Sequence, residues 1–516
     1  MLQIKNLTIR HRQDYRVLLE DFSFVLNPGD RAAVIGEEGN GKSTLLRLIH
    51  DPALVETYVE YTGEILKNGG RTGYLAQELS AGDQDRTILE YCGECPQFYE
   101  WTPREISELA GQLGLNPELL YSDQRMGSLS GGEKVKVRFA RMMLERPDIL
   151  LLDEPNNDLD LETLEWMEAF LTGCGLPLLC VSHDETFLNR TANVMIHLEQ
   201  LRRKTKAVWT VSRTGYAEYA DWRARGLARQ EQAARREQRE WREQQERFRR
   251  IQQKVESRQN SISRQDPHGG RLLKKKMHAV KSLERRYERE QKERTEMLDP
   301  EEALFLKLEG GRRIASGKQI LDLRGERLEA GGRILAEDIT LRVTAGEKVC
   351  IIGKNGVGKT TLLRKIADSL LARSDLKAAY MPQDYGELLD MEMTPPEFLS
   401  RSGSREEQSR IRTYLGSMKY TADEMNHPIG RLSGGQKAKL LLLKISLDGS
   451  DVLVLDEPTR NFSPLSGPVI RELLKRYSGT IISVSHDRKY IEEVCDRICR
   501  LTPDGLEELR GFAGEI

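Results

Sequence analysis

Long apolar runs are absent from this sequence. No window holds about 18 uninterrupted apolar residues, which is close to the length that a membrane-spanning helix requires. Residues 1–10 alternate apolar and polar side chains like a strand, and they lack the apolar stretch of a signal peptide. We therefore expect no membrane helix and a cytoplasmic location.

Cysteine is scarce as well. Seven cysteines are scattered along 516 residues, and their odd number argues against a disulfide scaffold. Cys92 and Cys95 form a lone C-x-x-C pair, while Cys495 and Cys499 lie four residues apart on a predicted helix. Because no second pair with zinc-site spacing lies near either, we interpret both pairs as ordinary reduced thiols.

The sequence also has little net charge, −2 in total, but that value hides an uneven distribution. Residues 216–298 contain 23 Lys and Arg against 14 Asp and Glu, a net charge of +9, so the remainder carries −11. A basic middle between acidic flanks indicates contact with a polyanion. At 516 residues the chain is too long for one core and suits two or three domains.

One set of motifs is present twice, in the same order. The first copy reads GEEGNGKS (36–43), LSGGE (129–133), LLDEP (151–155) and SHD (182–184); the second reads GKNGVGKT (353–360), LSGGQ (432–436), VLDEP (454–458) and SHD (485–487). In each copy, 24 positions separate the LSGG serine from the DEP glutamate, and 29 separate that glutamate from the histidine. RVLLED (16–21) and RILAED (333–338) extend the repeat. Two ATP-binding modules therefore lie in one polypeptide.

Each glycine-rich loop lies between a strand-like run, at 31–35 or 348–352, and a helical pattern. A phosphate-binding loop requires this context. Its glycines let backbone N–H groups surround phosphates, and Lys42 and Lys359 are expected to neutralise the β- and γ-phosphates of ATP. The other residues predicted to bind ATP in these loops are Gly36, Gly39, Asn40, Gly41, Ser43 and Thr44 in the first copy and Gly353, Asn355, Gly356, Gly358, Thr360 and Thr361 in the second.

The chemistry of hydrolysis is predicted at the ends of later strands. Glu154 and Glu457 follow apolar runs and can orient or deprotonate the attacking water. His183 and His486 are expected to contact the γ-phosphate, and the alternative is that they are ordinary loop histidines. The residues predicted to hold Mg²⁺ are Ser43, Gln77 and Asp153 in the first copy and Thr360, Gln383 and Asp456 in the second; both glutamines also count as candidate ATP contacts.

LSGG is the signature of ATP-binding cassettes, in which its N–H groups bind the γ-phosphate held by the opposite module. Ser130 is thus expected to complete the site built on Lys359, and Ser433 the site built on Lys42. The residues predicted to contribute are Ser130, Gly131 and Gly132 and, in the second copy, Ser433, Gly434 and Gly435. Two ATP molecules sandwiched between the modules would hold them closed, and hydrolysis would release the clamp.

Between the repeats lies a segment of different character. Apolar residues recur every seven positions from Leu227 to Ile262, which marks one seam of a coiled coil. Pro267 and two glycines break the pattern, and a second helical stretch runs from 271 to about 297. These features predict an antiparallel hairpin with its tip at about 259–277. The predicted domains are a first α/β cassette at 1–214, a helical hairpin linker at 215–299 and a second α/β cassette at 300–516.

The motif set, the missing membrane domain and a charged linker introduced by Gly-x-Tyr-x-x-Tyr (215–219) together resemble the ABC-F proteins over essentially the whole chain. The resemblance implies a monomeric ATPase of the P-loop NTPase fold whose cassettes pair within one chain. It also implies binding at the exit site of the bacterial 70S ribosome, with the hairpin reaching P-site tRNA and the peptidyl-transferase centre of 23S rRNA.

The hairpin is by implication the RNA-binding element. Residues 247–286 contain 13 basic and 3 acidic side chains, a density suited to counterion release from RNA. The candidate RNA contacts are Arg258, Arg264, Arg271, Lys274, Lys275 and Lys276. The alternative is that the hairpin is a rigid solvated spacer between the cassettes.

The segment DEPTRNFSP (456–464) narrows the resemblance. The general family continues as DEPTNHLD, and the R-N-F-S-P variant resembles the members that protect ribosomes against pleuromutilins, lincosamides and streptogramin A. We therefore expect an antibiotic-resistance protein. The alternatives are a housekeeping translation factor that relieves stalled ribosomes, the ATPase subunit of a drug exporter and a DNA-associated ATPase.

Two departures from the family pattern make the copies unequal. Ser463 stands where the family usually has an aspartate that couples the two sites, whereas Asp160 retains it. Tyr15 is placed to stack on adenine, but its counterpart in the second copy is Gly332. We therefore expect the two sites to hydrolyse ATP at different rates.

Overall fold

The computed structural model describes residues 1–157, 159–201, 206–261, 282 and 317–509 of the chain. The chain divides into two compact units, of which one comprises Met1–Tyr219 with Glu301–Ile516 and the other Ala220–Pro300. Two tandem α/β cassettes, as predicted, lie in the first unit. Within the described ranges, no helix is both long and apolar enough to cross a membrane.

The strands of the first cassette are β1 (Leu2–His11), β2 (Val17–Leu26), β3 (Arg31–Ile35), β4 (Val59–Leu66), β5 (Thr72–Leu75), β6 (Ile149–Asp153), β7 (Leu178–Val181), β8 (Val194–Leu201) and β9 (Lys206–Ser212). They form an antiparallel sheet of order β2-β1-β4 and a larger sheet of order β5-β6-β7-β3-β8-β9. The helices are α1 (Lys42–His50), α2 (Ala81–Gln84), α3 (Ile88–Gly93), α4 (Pro103–Gln112), α5 (Gly131–Leu144), α6 (Leu161–Gly173) and α7 (Glu185–Thr191).

The second cassette repeats this plan. Its strands are β10 (Gln319–Ala330), β11 (Arg333–Thr344), β12 (Lys348–Ile352), β13 (Ala378–Met381), β14 (Val452–Asp456), β15 (Thr480–Val484), β16 (Arg497–Thr502) and β17 (Gly505–Leu509). The large sheet has the order β13-β14-β15-β12-β16-β17, and β10 pairs with β11. After α8, the linker helix described below, the helices are α9 (Lys359–Leu371), α10 (Pro395–Leu399), α11 (Arg405–Ser417), α12 (Ala422–Asn426), α13 (Gly434–Asp448), α14 (Gly467–Arg476) and α15 (Arg488–Val494).

Buried parallel strands form the centre of each cassette. Every residue of β6, β7, β14 and β15 is buried, as expected for apolar strands that are covered on both faces. β7 pairs in parallel with β6 and β3, and β15 pairs in parallel with β14 and β12. The phosphate loops and the strand-end aspartates therefore emerge at the carboxyl edge of the sheet, where open α/β sheets bind their ligands.

The linker begins with one long helix, α8 (Tyr216–Ser261), of 46 residues. At about 1.5 Å per residue it is roughly 69 Å long. The helix predicted at the start of the linker is thus observed over this span. Arg258 lies in α8, whereas Arg264, Arg271, Lys274, Lys275 and Lys276 lie outside the described residues, as do the predicted breaker and most of the second helix of the hairpin.

The prediction of a helix carrying both Cys495 and Cys499 was wrong. Helix α15 ends at Val494, and Cys499 lies in β16, which pairs in parallel with β12. Sheet pairing and burial outweigh the local helical pattern there. Cys92 and Cys95 are both buried, and burial raises the pKa of the Cys92 thiol to about 12. In the described part of the chain, no cluster of three or more His, Cys, Asp and Glu side chains could hold a metal ion.

Candidate functional site

The phosphate loops have the same backbone in the two cassettes. Each follows a buried strand, β3 or β12, and leads into α1 or α9, whose N-cap glycine is left-handed: Gly41 at φ 86° and Gly358 at φ 102°. At Gly36, a Cβ atom would lie 2.2 Å from the carbonyl oxygen of Leu198, so a larger residue would collide. The loops therefore present N–H groups at a helix N-terminus, an arrangement that binds phosphate.

The two loop lysines are held alike. Lys42 Nζ donates to two carbonyl oxygens of its own loop at 2.9 and 3.1 Å. Lys359 Nζ donates to the two equivalent carbonyl oxygens at 2.8 and 2.9 Å. Burial lowers the pKa of each lysine, and the nearby acidic residues oppose that effect. Both ammonium groups thus lie at the mouth of a phosphate loop.

The strand-end aspartates fit a divalent cation. Ser43 Oγ donates to Asp153 Oδ1 at 2.8 Å, so a hydroxyl and a carboxylate oxygen lie side by side. Asp456 is buried, and among the described residues neither of its carboxylate oxygens has a hydrogen-bond donor of ordinary geometry. A buried carboxylate in that condition suits a cation. Ser43 with Asp153, and Thr360 with Asp456, would hold Mg²⁺, which neutralises phosphate charge when it is bound.

Glu154, directly after β6, is held as an ionised carboxylate. Its backbone is left-handed, with φ 49°, a strained conformation that is often found at functional sites. Asn157 Nδ2 donates to Oε2 at 2.7 Å, and His183 Nε2 lies 3.1 Å from Oε1. Burial by itself raises the pKa of Glu154, but His183, Lys42 and Asn157 together lower it to about 2.

Glu457 has the same backbone, also with φ 49°, but different surroundings. Its Oε2 accepts the N–H of His486 at 3.2 Å and the Ser485 hydroxyl at 3.3 Å, while His486 Nε2 lies 3.9 Å from Oε1. Arg460 occupies the position equivalent to Asn157. Burial raises the pKa of Glu457 to about 8 and lowers the pKa of His486 to about 3. Burial therefore favours the neutral form of both groups.

The loop of each cassette faces the signature motif of the other. We call the space between the Lys42 loop and LSGGQ (432–436) the first cleft, and the space between the Lys359 loop and LSGGE (129–133) the second cleft. The second cleft contains a cavity of about 620 Å³. The predicted site residues that line it are Gly131, His183, Asn355, Gly356, Gly358, Lys359, Thr360, Thr361, Gln383, Asp456, Glu457 and His486. Ser130 and Gly132 line a separate cavity that also contains Asn355.

The first cleft is filled by acidic side chains of its own phosphate loop. Glu38 Oε2 accepts the N–H of Gly435 in the opposite signature motif at 2.5 Å. Glu37 Oε1 lies 3.6 Å and 3.7 Å from the ammonium groups of Lys419 and Lys439. A small cavity of about 30 Å³ lies beside these contacts, with Ser433 among its lining residues. Sequence reasoning missed this closure, although the two consecutive glutamates of GEEG were a visible signal.

The two coupling positions, Asp160 and Ser463, make different contacts. We call residues 460–464 the coupling loop. Asp160 Oδ2 accepts a backbone N–H of the opposite phosphate loop at 3.4 Å. Ser463 instead lies with its hydroxyl 3.0 Å from another serine hydroxyl of its own cassette. The coupling loop reaches across through its backbone, because His183 Nδ1 lies 2.8 Å from the carbonyl oxygen of Phe462.

The remaining residues predicted to contact ATP differ in exposure and in the element that carries them. Tyr15 is 75% exposed and has φ 54°, and its counterpart Gly332 has φ 77°, so both copies use left-handed backbone here. Asn40 is buried and donates to the Leu198 carbonyl oxygen at 2.9 Å, so its side chain braces the loop. Gln77 is exposed just after β5. Gly39 and Gly353 lie in the phosphate loops, Thr44 lies in the first turn of α1, and Gly434 is the first residue of α13.

The first turn of α8 is attached to both cassettes. Tyr216 is buried, and its hydroxyl donates to the carbonyl oxygen of Pro464 in the coupling loop at 3.0 Å. The Tyr219 hydroxyl lies 2.8 Å from Nδ1 of His197 in β8 of the first cassette. The Gly-x-Tyr-x-x-Tyr motif therefore joins the linker helix to the coupling loop, a contact that motif spacing could not reveal.

Comparisons with known proteins show which family the cassettes resemble. A family profile described as ABC transporter matches residues 19–157 and 336–460, just over half of the chain. ABC transporter F family member 5 of Arabidopsis thaliana is 27% identical over 557 residues, which cover 97% of this chain and 75% of the relative. ATP-binding protein Uup of Caulobacter vibrioides is 27% identical over 514 residues, which cover 96% and 77%.

A solved structure shares the tandem arrangement. The archaeal ribosome recycling factor aABCE1, crystallised with the ribosomal stalk protein aP1, matches with a TM-score of 0.59 over 98% of this chain and 90% of that chain. The two sequences are 18% identical, so the likeness concerns the fold alone.

Proposed function

We propose that this chain, which belongs to the ABC transporter family and within it to the ABC-F proteins, binds bacterial ribosomes and protects them from antibiotics. Its cassettes are those of an ATPase. In the proposal, the hairpin linker enters from the exit site toward P-site tRNA and the peptidyl-transferase centre of 23S rRNA. There it dislodges a bound drug, and ATP hydrolysis then releases the protein from the ribosome.

The observation that carries this proposal is the attachment of α8 to the coupling loop. The loop contacts His183 beside the first cleft, and Tyr216 at the start of α8 contacts the same loop. A change in either cleft on ATP binding or hydrolysis can thus move the base of the linker. An exporter subunit would have to transmit that change to a separate membrane protein and would have no use for such a linker.

The charge of the linker supports RNA as the partner. Basic side chains outnumber acidic ones by 13 to 3 over residues 247–286. Clustered exposed cations gain binding free energy by displacing counterions from a nucleic-acid backbone.

The clefts support a two-site clamp in which the chain's own residues have distinct tasks. In the first cleft the ionised Glu154 can orient the attacking water by accepting its hydrogen bond, while its low pKa makes it a weak proton acceptor. In the second cleft Glu457 must first lose its proton, and a bound cation beside Asp456 would favour that loss. ATP would enter each cleft against one phosphate loop and one opposite signature motif.

Sedimentation with ribosomes tests the first half of the proposal. The Glu154→Gln/Glu457→Gln double variant, which binds ATP but hydrolyses it slowly, is expected to co-sediment with 70S ribosomes in ATP. The matched control Lys42→Ala/Lys359→Ala, which lacks both phosphate-binding ammonium groups, is expected to stay in the supernatant. Absence of the first variant from the ribosome pellet contradicts ribosome binding.

Drug susceptibility then separates resistance from a housekeeping role. A sensitive bacterium that expresses the chain is expected to survive higher concentrations of a pleuromutilin, a lincosamide or streptogramin A. Replacing Lys274, Lys275 and Lys276 by alanine is expected to abolish that protection, while the control Arg236→Ala/Arg239→Ala, midway along α8 and away from the predicted tip, keeps most of it. Ribosome binding without any protection would favour a housekeeping translation factor.

A further inference from the structure

Ion pairs join the two cassettes where α6 and α7 face α14 and α15. Arg471 Nη1 lies 2.6 Å from Glu185 Oε1, and the Arg488 guanidinium contacts the Glu168 carboxylate. Each pair crosses from one cassette to the other. All four side chains are at most 14% exposed, so these charges lie in the interior of the interface.

Two further pairs flank the crossing pairs within each cassette. Arg190 Nη1 lies 2.7 Å from Glu168 Oε2 in the first cassette. Arg471 Nε lies 2.8 Å from Glu493 Oε2 in the second. Glu168 is therefore shared by two arginines, and Arg471 by two glutamates. We call Glu168, Glu185, Arg190, Arg471, Arg488 and Glu493 the charge network.

The internal repeat shows how the charges of the network in the two cassettes are related. Corresponding residues of the two copies in this region are 303 positions apart, as His183 and His486 are. Glu168 then corresponds to Arg471, Glu185 to Arg488, and Arg190 to Glu493. Every one of the three positions carries the opposite sign in the other cassette. The six side chains thus occupy positions related by a two-fold axis, but each side chain has the opposite charge to its counterpart.

Charge inversion makes the interface selective. With the first cassette facing the second, each buried carboxylate meets a guanidinium. If the first cassette faced another copy of itself, Glu168 would meet Glu185, and in a pair of second cassettes Arg471 would meet Arg488. Buried like charges without partners are strongly unfavourable, and proteins use such repulsion to exclude wrong partners.

Neighbouring charges do not account for this selectivity. Asp184 and Asp487, the N-caps of α7 and α15, correspond to each other in the repeat and carry the same sign. They therefore contribute equally to every possible pairing. Among the described charges at these helices, the charge network is the buried set that distinguishes the mixed pair from the two matched pairs. The Lys354–Glu162 pair at α6 also crosses the interface, but both of its side chains are exposed.

We propose that the charge network is a pairing code: it admits the pair of first and second cassettes and excludes the pairing of either cassette with its own kind in a second copy of the chain. The code acts on cassette association and needs neither ribosome nor drug. Each composite cleft therefore forms between a first cassette and a second cassette.

A covalent reporter measures the pairing directly in the full chain. Lys354 Nζ lies 2.9 Å from Glu162 Oε2 across the same interface, and both side chains are 77% exposed. A zero-length carbodiimide joins such an amine and carboxylate as an amide with loss of water, and mass spectrometry counts the linked peptide. The yield of this link, measured without nucleotide, reports how often the cassettes face each other.

Reversal of one face should destroy the pairing. Arg471→Glu/Arg488→Glu/Glu493→Arg gives the second cassette the charges of the first, and the link is expected to fall about tenfold or more. Adding Glu168→Arg/Glu185→Arg/Arg190→Glu inverts both faces and should restore the link to within about twofold of the original chain. Glu472→Arg/Arg476→Glu reverses an exposed pair on α14 and serves as the control that should change nothing.

Mixing the singly reversed chains extends the test. The chain with Arg471→Glu/Arg488→Glu/Glu493→Arg then carries the charges of the first cassette on both interface faces. The chain with Glu168→Arg/Glu185→Arg/Arg190→Glu alone carries the charges of the second cassette on both faces. Each alone is expected to sediment as a monomer, and an equimolar mixture is expected to contain heterodimers. The proposal is overturned if one-face reversal leaves the link unchanged, if the doubly inverted chain fails to fold or to form the link, or if either reversed chain dimerises alone as well as the mixture does.

Discussion

Glu154 and Glu457 occupy equivalent positions after a buried strand and share a φ of 49°, yet their neighbours differ. Asn157 and His183 supply hydrogen bonds to Glu154, whereas Glu457 accepts longer bonds, from one hydroxyl and one backbone N–H, among the residues that the structure describes. In a buried carboxylate, such partners decide whether ionisation is favourable. The same residue type therefore has opposite titration behaviour in the two cassettes.

Glutamine at these positions is expected to change stability in opposite directions. The pKa of Glu154 lies at about 2, below its ordinary 4.5, so ionisation stabilises the fold above pH 4.5 and this contribution is lost as the pH falls toward 2. Glu154→Gln should lower the free energy of unfolding at neutral pH by about 1–3 kcal/mol. Thermal unfolding of the nucleotide-free protein measures the change.

For Glu457 the sign is reversed. Its pKa lies at about 8, above its ordinary 4.5, so the folded state binds the proton more tightly and loses stability as the pH rises from 4.5 to 8. Glu457→Gln should therefore raise the free energy of unfolding by about 1–3 kcal/mol at about pH 9, with little effect at about pH 4. The same sign of change for both variants at alkaline pH would contradict the assignment.

ATP turnover is expected to be unequal in the two clefts. The second cleft holds a cavity of about 620 Å³, whereas in the first cleft the Glu38 carboxylate already accepts the N–H of Gly435 in the opposite signature motif. Because ATP enters the open cleft more readily, Glu457→Gln should lower the steady-state ATPase rate more than Glu154→Gln. The double variant sets the floor of the assay. Equal losses from the two single variants would count against this asymmetry.

The glutamates of the first phosphate loop are expected to compete with the γ-phosphate. Glu38 occupies the N–H of Gly435 that a phosphate would use. Exchanging Glu37 and Glu38 for the residues of the second loop, Glu37→Lys/Glu38→Asn, should tighten ATP binding in the first cleft by about tenfold, since one charged competitor is removed.

The binding assay uses a fluorescent ATP analogue in a Lys359→Ala background, so that only the first cleft responds. The reciprocal variant Lys354→Glu/Asn355→Glu, tested with Lys42→Ala, is the matched control and should weaken binding in the second cleft. Unchanged affinity in both backgrounds would show that the acidic loop does not compete with nucleotide.

At the scale of elements, the contacts at the start of α8 determine how the linker is attached to the cassettes. Tyr216 joins the helix to the coupling loop, and Tyr219 joins it to β8. Both tyrosines are at most 5% exposed, so neither hydroxyl can exchange its partner for water without local opening. The helix base is therefore fixed to parts of both cassettes.

Removal of one hydroxyl is expected to uncouple the linker from the clefts. Tyr216→Phe keeps the ring but leaves the Pro464 carbonyl without this donor, which should cost about 1 kcal/mol of stability. Ribosome-stimulated ATPase activity, divided by basal activity, is expected to fall several-fold. Tyr219→Phe, which removes the hydroxyl that contacts His197 of the first cassette, should leave that ratio near its original value.

Some elements were predictable from local sequence and others were not. The strands at 31–35 and 348–352 were predicted with the bounds that the structure shows, because an apolar run before a glycine-rich loop is a strong local signal. Cys499 was misplaced because its strand is defined by parallel pairing with β12, a contact between residues about 150 positions apart. The Tyr216–Pro464 contact, which spans 248 positions, has no local signal at all.

On the scale of the whole molecule, duplication has produced two unequal halves. The cassettes share strand order, loop geometry and motif spacing. They differ in the acidic phosphate loop, in the coupling residues and in the charge network at their interface. A chain with identical halves could pair with its copies in several ways, whereas unequal halves favour one arrangement.

Ribosome binding by the whole protein is expected to depend steeply on salt. Each basic side chain that neutralises a phosphate adds about 0.9 to the slope of log affinity against log salt for a duplex, and about 0.7 for single strands. Replacing Lys274, Lys275 and Lys276 by alanine should therefore reduce the slope by roughly 2–3. Co-sedimentation across a salt series measures this slope. An unchanged slope would show that these three lysines do not contact RNA phosphates.

The sequence by itself determined that two ATP-binding cassettes lie in one chain, because motif spacing and strand periodicity are local properties that repeat visibly. The tertiary structure alone decided how the copies differ in action. It placed Glu38 against Gly435, Tyr216 against the coupling loop, and Glu168 against Arg488. Burial sets the protonation of a carboxylate and the cost of an unpaired charge, and burial depends on partners that lie hundreds of residues away.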